Sequence, residues 1–101
     1  MNDIKIKDKS YTIEQLIILL ATCNKVISRN AYLEKKWNNC MEFWGSHGDS
    51  YAAKRDEFIG YRKQIRDYLS KYIPMNKVIQ LEKSCTETAT QKAVKEFVNM
   101  L

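Results

Sequence analysis

The residues with chemical potential lie around one histidine. His47 stands within Phe43-Trp44-Gly45-Ser46-His47-Gly48-Asp49-Ser50, beside an acid and between two of the chain's three glycines. A lone imidazole could serve as a general base or a zinc ligand. Zinc needs further His or Cys ligands at close spacing, and the chain has no second His and no Cys-x-x-Cys. Acid–base work needs an orienting partner, and Asp49 is better placed to cap a helix. Gly45 and Gly48 do not follow a strand, so they are not a phosphate loop. Cys23, Cys40 and Cys85 are odd in number, which suits small buried thiols in a reducing compartment better than a disulfide framework. No catalytic residue, metal site or cofactor is expected, and an enzyme is not.

The same eight residues make sense as a turn between two helices. Gly45 suits the left-handed position after a helix C-terminus, Gly48 relaxes the chain again, and Asp49 or Ser50 can accept the first orphan N–H groups of a second helix. Trp44 would pack between the two helix ends and Trp37 would extend that cluster. The turn motif is therefore Trp44, Gly45, Gly48 and Asp49.

The elements that must hold this turn are helical. The chain has one proline and three glycines in 101 residues, and it is rich in helix formers. Ile4 to Lys9 alternates at first but is too short to be a strand on its own, so it is taken as a lead-in. Thr12 and Gln15 have capping-box spacing, followed by Ile13, Leu16, Ile17, Leu20, Cys23 and Ile27. One helix is predicted over 12–43, about 48 Å long at the usual rise. After a turn at 44–49 a second is predicted over 50–73, with Tyr51, Phe58, Ile65 and Tyr72 every seven residues and Tyr61, Tyr68 and Met75 between them. Pro74 predicts a kink or break. A third helical segment follows over 75–100, with Ser84 and Glu87 spaced to restart it. The fold class is all-α: a single domain, an antiparallel helical hairpin with a kinked third segment.

Leu20, Ile27, Leu33 and Trp37 on the first helix, with Tyr51, Phe58, Tyr61, Ile65, Tyr68, Leu69 and Tyr72 on the second, form the expected core and interface. A two-helix hairpin cannot cover both its apolar faces; the facing surface is the first helix, the third segment or another chain, and a four-helix bundle completed by dimerisation is the favoured expectation. The formal charge of +5 also permits an acidic partner or nucleic acid. The bases of the second helix are interleaved with tyrosines, which superficially matches a stacking surface. However, those tyrosines fall on the seven-residue seam, and acids stand at helical spacing from several bases. A small basic nucleic-acid-binding regulator is the competing expectation. No apolar run approaches a membrane span and the N-terminus lacks signal-peptide features, so synthesis in the cytoplasm is expected, and any export would use no cleaved signal.

A helix of about 30 residues, Trp44-Gly45-Ser46-His47-Gly48 and a second amphipathic helix, in a chain of this length, resemble the WXG family of small type VII secreted proteins of bacteria. The resemblance covers residues 4 to 72. It implies that Trp44 is the motif tryptophan, with Ser46 where the family has glycine. It further implies a hairpin that pairs with itself or a paralogous hairpin, and in some members delivers a larger secreted effector. The family's export signal, Tyr-x-x-x-Asp/Glu, is matched by none of the six tyrosines. A partner would then supply the signal, or the protein would act without being exported.

Overall fold

The computed structural model of the chain describes residues 4–6, 9–40 and 45–101, with side chains at all of these except 38–40 and 45–49. Among the described residues are four helices and one two-stranded sheet: β1 (Ile4–Ile6), β2 (Lys9–Tyr11), α1 (Ile13–Cys40), α2 (Gly45–Leu69), α3 (Met75–Ser84) and α4 (Gln91–Met100). No described helix is long and apolar enough to cross a membrane.

α1 begins where its cap residues put it. The Thr12 amide donates to Gln15 Oε1 at 2.8 Å and the Gln15 amide to Thr12 Oγ1 at 3.1 Å, so two orphan donors are satisfied reciprocally. Such a cap contributes about 1 kcal/mol. No Gly or Pro lies between Ile13 and Cys40, and the helix runs unbroken past Ser28-Arg29-Asn30. α2 runs antiparallel to it: Arg55 reaches Glu34, while Arg62, seven residues later, reaches back to Asn24.

Three boundaries differ from those predicted. α2 starts at Gly45, so Gly45, Gly48 and Asp49 lie inside helical backbone rather than in a turn over 44–49. Trp44, the fourth residue of the predicted turn motif, falls outside the described residues. α2 also ends at Leu69, not at 73. Lys71 and Tyr72 donate to carbonyls three residues back, Tyr68 and Leu69, which tightens the last turn before Ile73 is restricted by the following proline. Pro74 is therefore no kink within a helix. It is the N-cap of α3, where its missing N–H costs nothing, and its carbonyl accepts from Lys77 and Val78 at 3.0 Å.

The predicted segment 75–100 is two helices separated by a non-helical stretch over 85–90, with Cys85 and Thr90 at its ends extended. Ser84 and Glu87 do not restart it. The helix restarts at Thr90, whose hydroxyl accepts from the Ala93 amide at 3.0 Å. A tertiary bond explains the shift: the Thr22 hydroxyl, buried on α1, donates to the Ile18 carbonyl at 2.7 Å and accepts from the Ala89 amide at 2.7 Å. An amide spent on α1 cannot join a helical ladder, and the β-branched Thr86, Thr88 and Thr90 favour the extended form.

The lead-in is also more than an arm. Ile4, Lys5 and Ile6 pair antiparallel with Tyr11, Ser10 and Lys9 respectively. Ile4 and Ile6 are buried and Lys5 is exposed, so alternation that is too short to stand alone is fixed by a partner strand and a core. Tyr11 meets Phe97 edge-to-face at 4.9 Å.

One core results. Leu16, Ile17, Leu19, Leu20, Cys23 and Val26 of α1 pack with Phe58, Ile65 and Leu69 of α2, Val78 of α3, Val94, Phe97 and Val98 of α4, and the two strand isoleucines. The chain thus covers much of its own hairpin with α3, α4 and the sheet. In α4 the spacing Val94, Phe97, Val98 gives one narrow apolar stripe, and all three side chains are buried.

Candidate functional site

The predicted core and interface residues divide into two groups. Leu20, Phe58, Ile65 and Leu69 are buried in the chain's own core, with Ile27, Tyr61 and Tyr68 partly buried against it. Tyr61 sits edge-to-face on Phe58 at 5.0 Å and Tyr68 on Phe97 at 5.8 Å. These residues are not free to meet a partner. Tyr72, beyond the end of α2, is 52% exposed and tilts against Tyr68.

Leu33, Trp37 and Tyr51 lie elsewhere. Among the described side chains, the last buried one on α1 is Asn30 and the first on α2 is Phe58. Between these points the hairpin projects as a two-helix arm, and none of its described side chains is buried. The molecule measures 53 × 27 × 20 Å, so it is long for its girth. Leu33, Trp37 and Tyr51 are half-buried in the arm, and Tyr32 is 65% exposed. Among the described residues one ionic contact crosses it: Arg55 donates to Glu34 on the facing helix, and also to Asp56 at 3.1 Å.

The arm differs from the body in composition. Residues 31–57 hold both tryptophans and five of the eleven aromatic residues, with four Lys/Arg against five Asp/Glu. Thirteen Lys/Arg and seven Asp/Glu remain for the body, which therefore carries the whole basic excess. Aromatic enrichment is one feature of protein–protein contact surfaces.

A second feature lies where α1, α2 and α3 meet. Glu82 is 3% exposed, yet it is ionisable. Its carboxylate accepts from Arg66 Nε at 3.0 Å, from Arg66 Nη2 and from Asn24 Nδ2 at 2.9 Å, while Asn24 Oδ1 accepts from Arg62 Nη1 at 2.9 Å. A buried carboxylate held by a forked guanidinium and an amide is the arrangement that makes burial of charge tolerable. Among the described residues no buried polar side-chain atom lacks a partner. Sequence reasoning missed this network. Glu82 follows Val78 by four residues and so shares its buried face, and Arg62 and Arg66 are spaced alike on α2, but three helices must meet before these positions become one cluster.

Burial pushes the Cys23 thiol up from 9.0 to about 12, with Arg62 and Arg66 opposing and Glu82 reinforcing the shift. Burial, followed by the hydrogen bond with Tyr72, pushes the Tyr68 phenol up from 10.0 to about 12. Both groups bind their proton more tightly folded than unfolded. Between pH 9 and 12 the unfolded chain gives these protons up first, so stability falls as pH rises through that window. Urea midpoints measured from pH 8 to 12 are expected to decline, and in Cys23→Ala the decline is expected to begin near pH 10, where Tyr68 and Tyr61, the latter raised by its hydrogen bond to Glu57, remain. An unchanged onset would show that Cys23 is not the group responsible.

Among the described residues no group of three or more His, Cys, Asp or Glu is placed to hold a metal ion. The side chain of His47 lies outside the described residues. Comparison with protein-family models, curated proteins and solved structures finds no match to this chain.

Proposed function

We propose that the protein is a small helical interaction module which pairs through its arm with a second helical hairpin, a copy of itself or a paralogue. In this it would be similar to the WXG-type substrates and partners of type VII secretion, and it would act by burying surface, not by catalysis. One observation carries the proposal. Most large apolar side chains of the body are covered within the chain, Ile59, Tyr72 and Leu101 excepted, whereas the arm from residue 31 to 57 exposes Tyr32, leaves Leu33 and Tyr51 half-covered and holds no buried side chain among those described. A near-balanced charge over those residues puts little electrostatic barrier in the way of a second copy.

Nucleic-acid binding by the face of α2 draws less support. Arg55, Lys63 and Arg66 are engaged with Glu34, Asp67 and Glu82, and the tyrosines that would stack on bases, Tyr61 and Tyr68, pack on the core.

Light scattering is expected to give a mass twice that of the 11.9 kDa chain. Leu33→Asp combined with Tyr51→Asp is expected to return it to one chain with far-UV helicity retained, because neither residue belongs to the body's core. A wild-type monomer would point to the paralogous hairpin instead. A dimer indifferent to both substitutions would rule out the arm as the surface.

A further inference from the structure

The groove between α1, α2 and α3 collects more positive charge than the chain neutralises. It has a volume of about 480 Å³, and its walls include Lys25 and Ser28 of α1, Arg62 and Arg66 of α2, and Glu82 and Lys83 of α3. Glu82 is the only carboxylate among the described lining residues, and it is committed to Arg66. Lys25, Arg62 and Lys83 have no carboxylate partner among the described residues. Like charges brought together from three helices repel unless a counter-charge sits between them.

Arg62 is built into this wall. Its Nη1 donates to Asn24 Oδ1, and Asn24 in turn donates to Glu82, so a half-buried guanidinium is oriented by a network on its inner side. The rest of its planar fork has no protein acceptor among the described residues. A fork of this kind matches the paired oxygens of phosphate, while lysines supply point charge around it. The groove is far larger than a single oxyanion, and its three uncompensated cations suit an anion with several charges in a row.

We propose that this groove binds a phosphate-chain anion, of the class of a free oligophosphate or a nucleoside polyphosphate, with Arg62 gripping a phosphate and Lys25 and Lys83 flanking it. The site is separate from the arm and does not depend on the pairing described above.

Isothermal titration of the full chain with inorganic tripolyphosphate at low ionic strength tests this. Saturable one-to-one binding is expected. Arg62→Gln, and separately Lys25→Gln with Lys83→Gln, are expected to weaken it about tenfold or more, the size of a lost charge-assisted hydrogen bond. Lys92→Gln with Lys95→Gln, which removes the same charge from α4 outside the groove, is expected to change it by no more than about twofold. The lysine variants alter exposed or half-exposed positions, so the test stands even if Arg62→Gln loosens the fold. Equal affinity for ATP would mean that the phosphate chain alone is recognised, and tighter ATP binding that the groove also takes the nucleoside beside Ala21 and Ile27; both support the site. No saturable binding, or equal weakening by the groove and α4 lysine pairs, overturns it.

Discussion

Phe58→Asp is expected to unfold the chain, whereas Tyr72→Asp, two steps along the same seven-residue series, is expected to change stability by no more than about 0.5 kcal/mol. Phe58 is fully buried and Tyr72 is 52% exposed. Removing the phenyl ring forfeits roughly 1.5–3 kcal/mol of transfer free energy, and the carboxylate that replaces it would have to be protonated or hydrated in an apolar site at a cost of several kcal/mol more. A domain of this size has about 5–15 kcal/mol in total. Far-UV circular dichroism and a urea melt of the two variants side by side decide the matter. If Phe58→Asp keeps its helicity and midpoint, Phe58 is not where the core places it.

The second large effect is at Glu82. Truncation to Ala leaves the Arg66 fork and the Asn24 amide without their acceptor at the junction of three helices, and is expected to cost about 3 kcal/mol, at the low end for a buried pair because Arg66 retains some access to water. Replacing both Glu82 and Arg66 by methionine is expected to recover most of that loss, since a matched apolar pair leaves no unsatisfied charge. Chemical denaturation of the single and double variants measures both values. A loss under about 1 kcal/mol for Glu82→Ala would mean that water or a neighbour takes over the carboxylate's bonds.

What could be foreseen from the chain was mostly local. The Thr12–Gln15 cap, the long uninterrupted first helix, the antiparallel hairpin and the burial of Phe58, Ile65 and Leu69 all follow from spacing within a few residues, and the helical class follows with them. Spacing alone puts the end of α2 too late because the apolar series runs on through Tyr72, although Ile73 is already constrained by Pro74. The gap at 85–90 was hidden for a different reason: the Ala89 amide bonds to Thr22, 67 residues away, and no local pattern announces that partner. Likewise Lys9-Ser10-Tyr11 carries no alternation of its own and becomes a strand because Ile4 and Ile6 need a backing.

The same limit applies to the sites. Helical spacing groups the interface residues into one set because it shows which faces are apolar, not which of them α3 and α4 cover. Among the described residues of that set, Leu33, Trp37 and Tyr51 at the end of the hairpin and Tyr72 beyond α2 lie outside the buried core. The cluster of Asn24, Arg62, Arg66 and Glu82 was invisible, since each member looks like an ordinary solvated side chain until the third helix folds back.

The pairing of Tyr11 with Phe97, and of Lys9 with Glu96 at 3.3 Å across 87 residues, sets an order of events. Closing so long a loop is entropically slow, whereas α1 and α2 meet through a short connection. During synthesis the arm can zip up while later residues are still being added, but the body cannot close until Phe97 and Val98 have left the ribosome. Until then Leu16, Leu20 and Phe58 lack their cover, and the nascent chain passes through a stage at which its stickiest surface faces solvent.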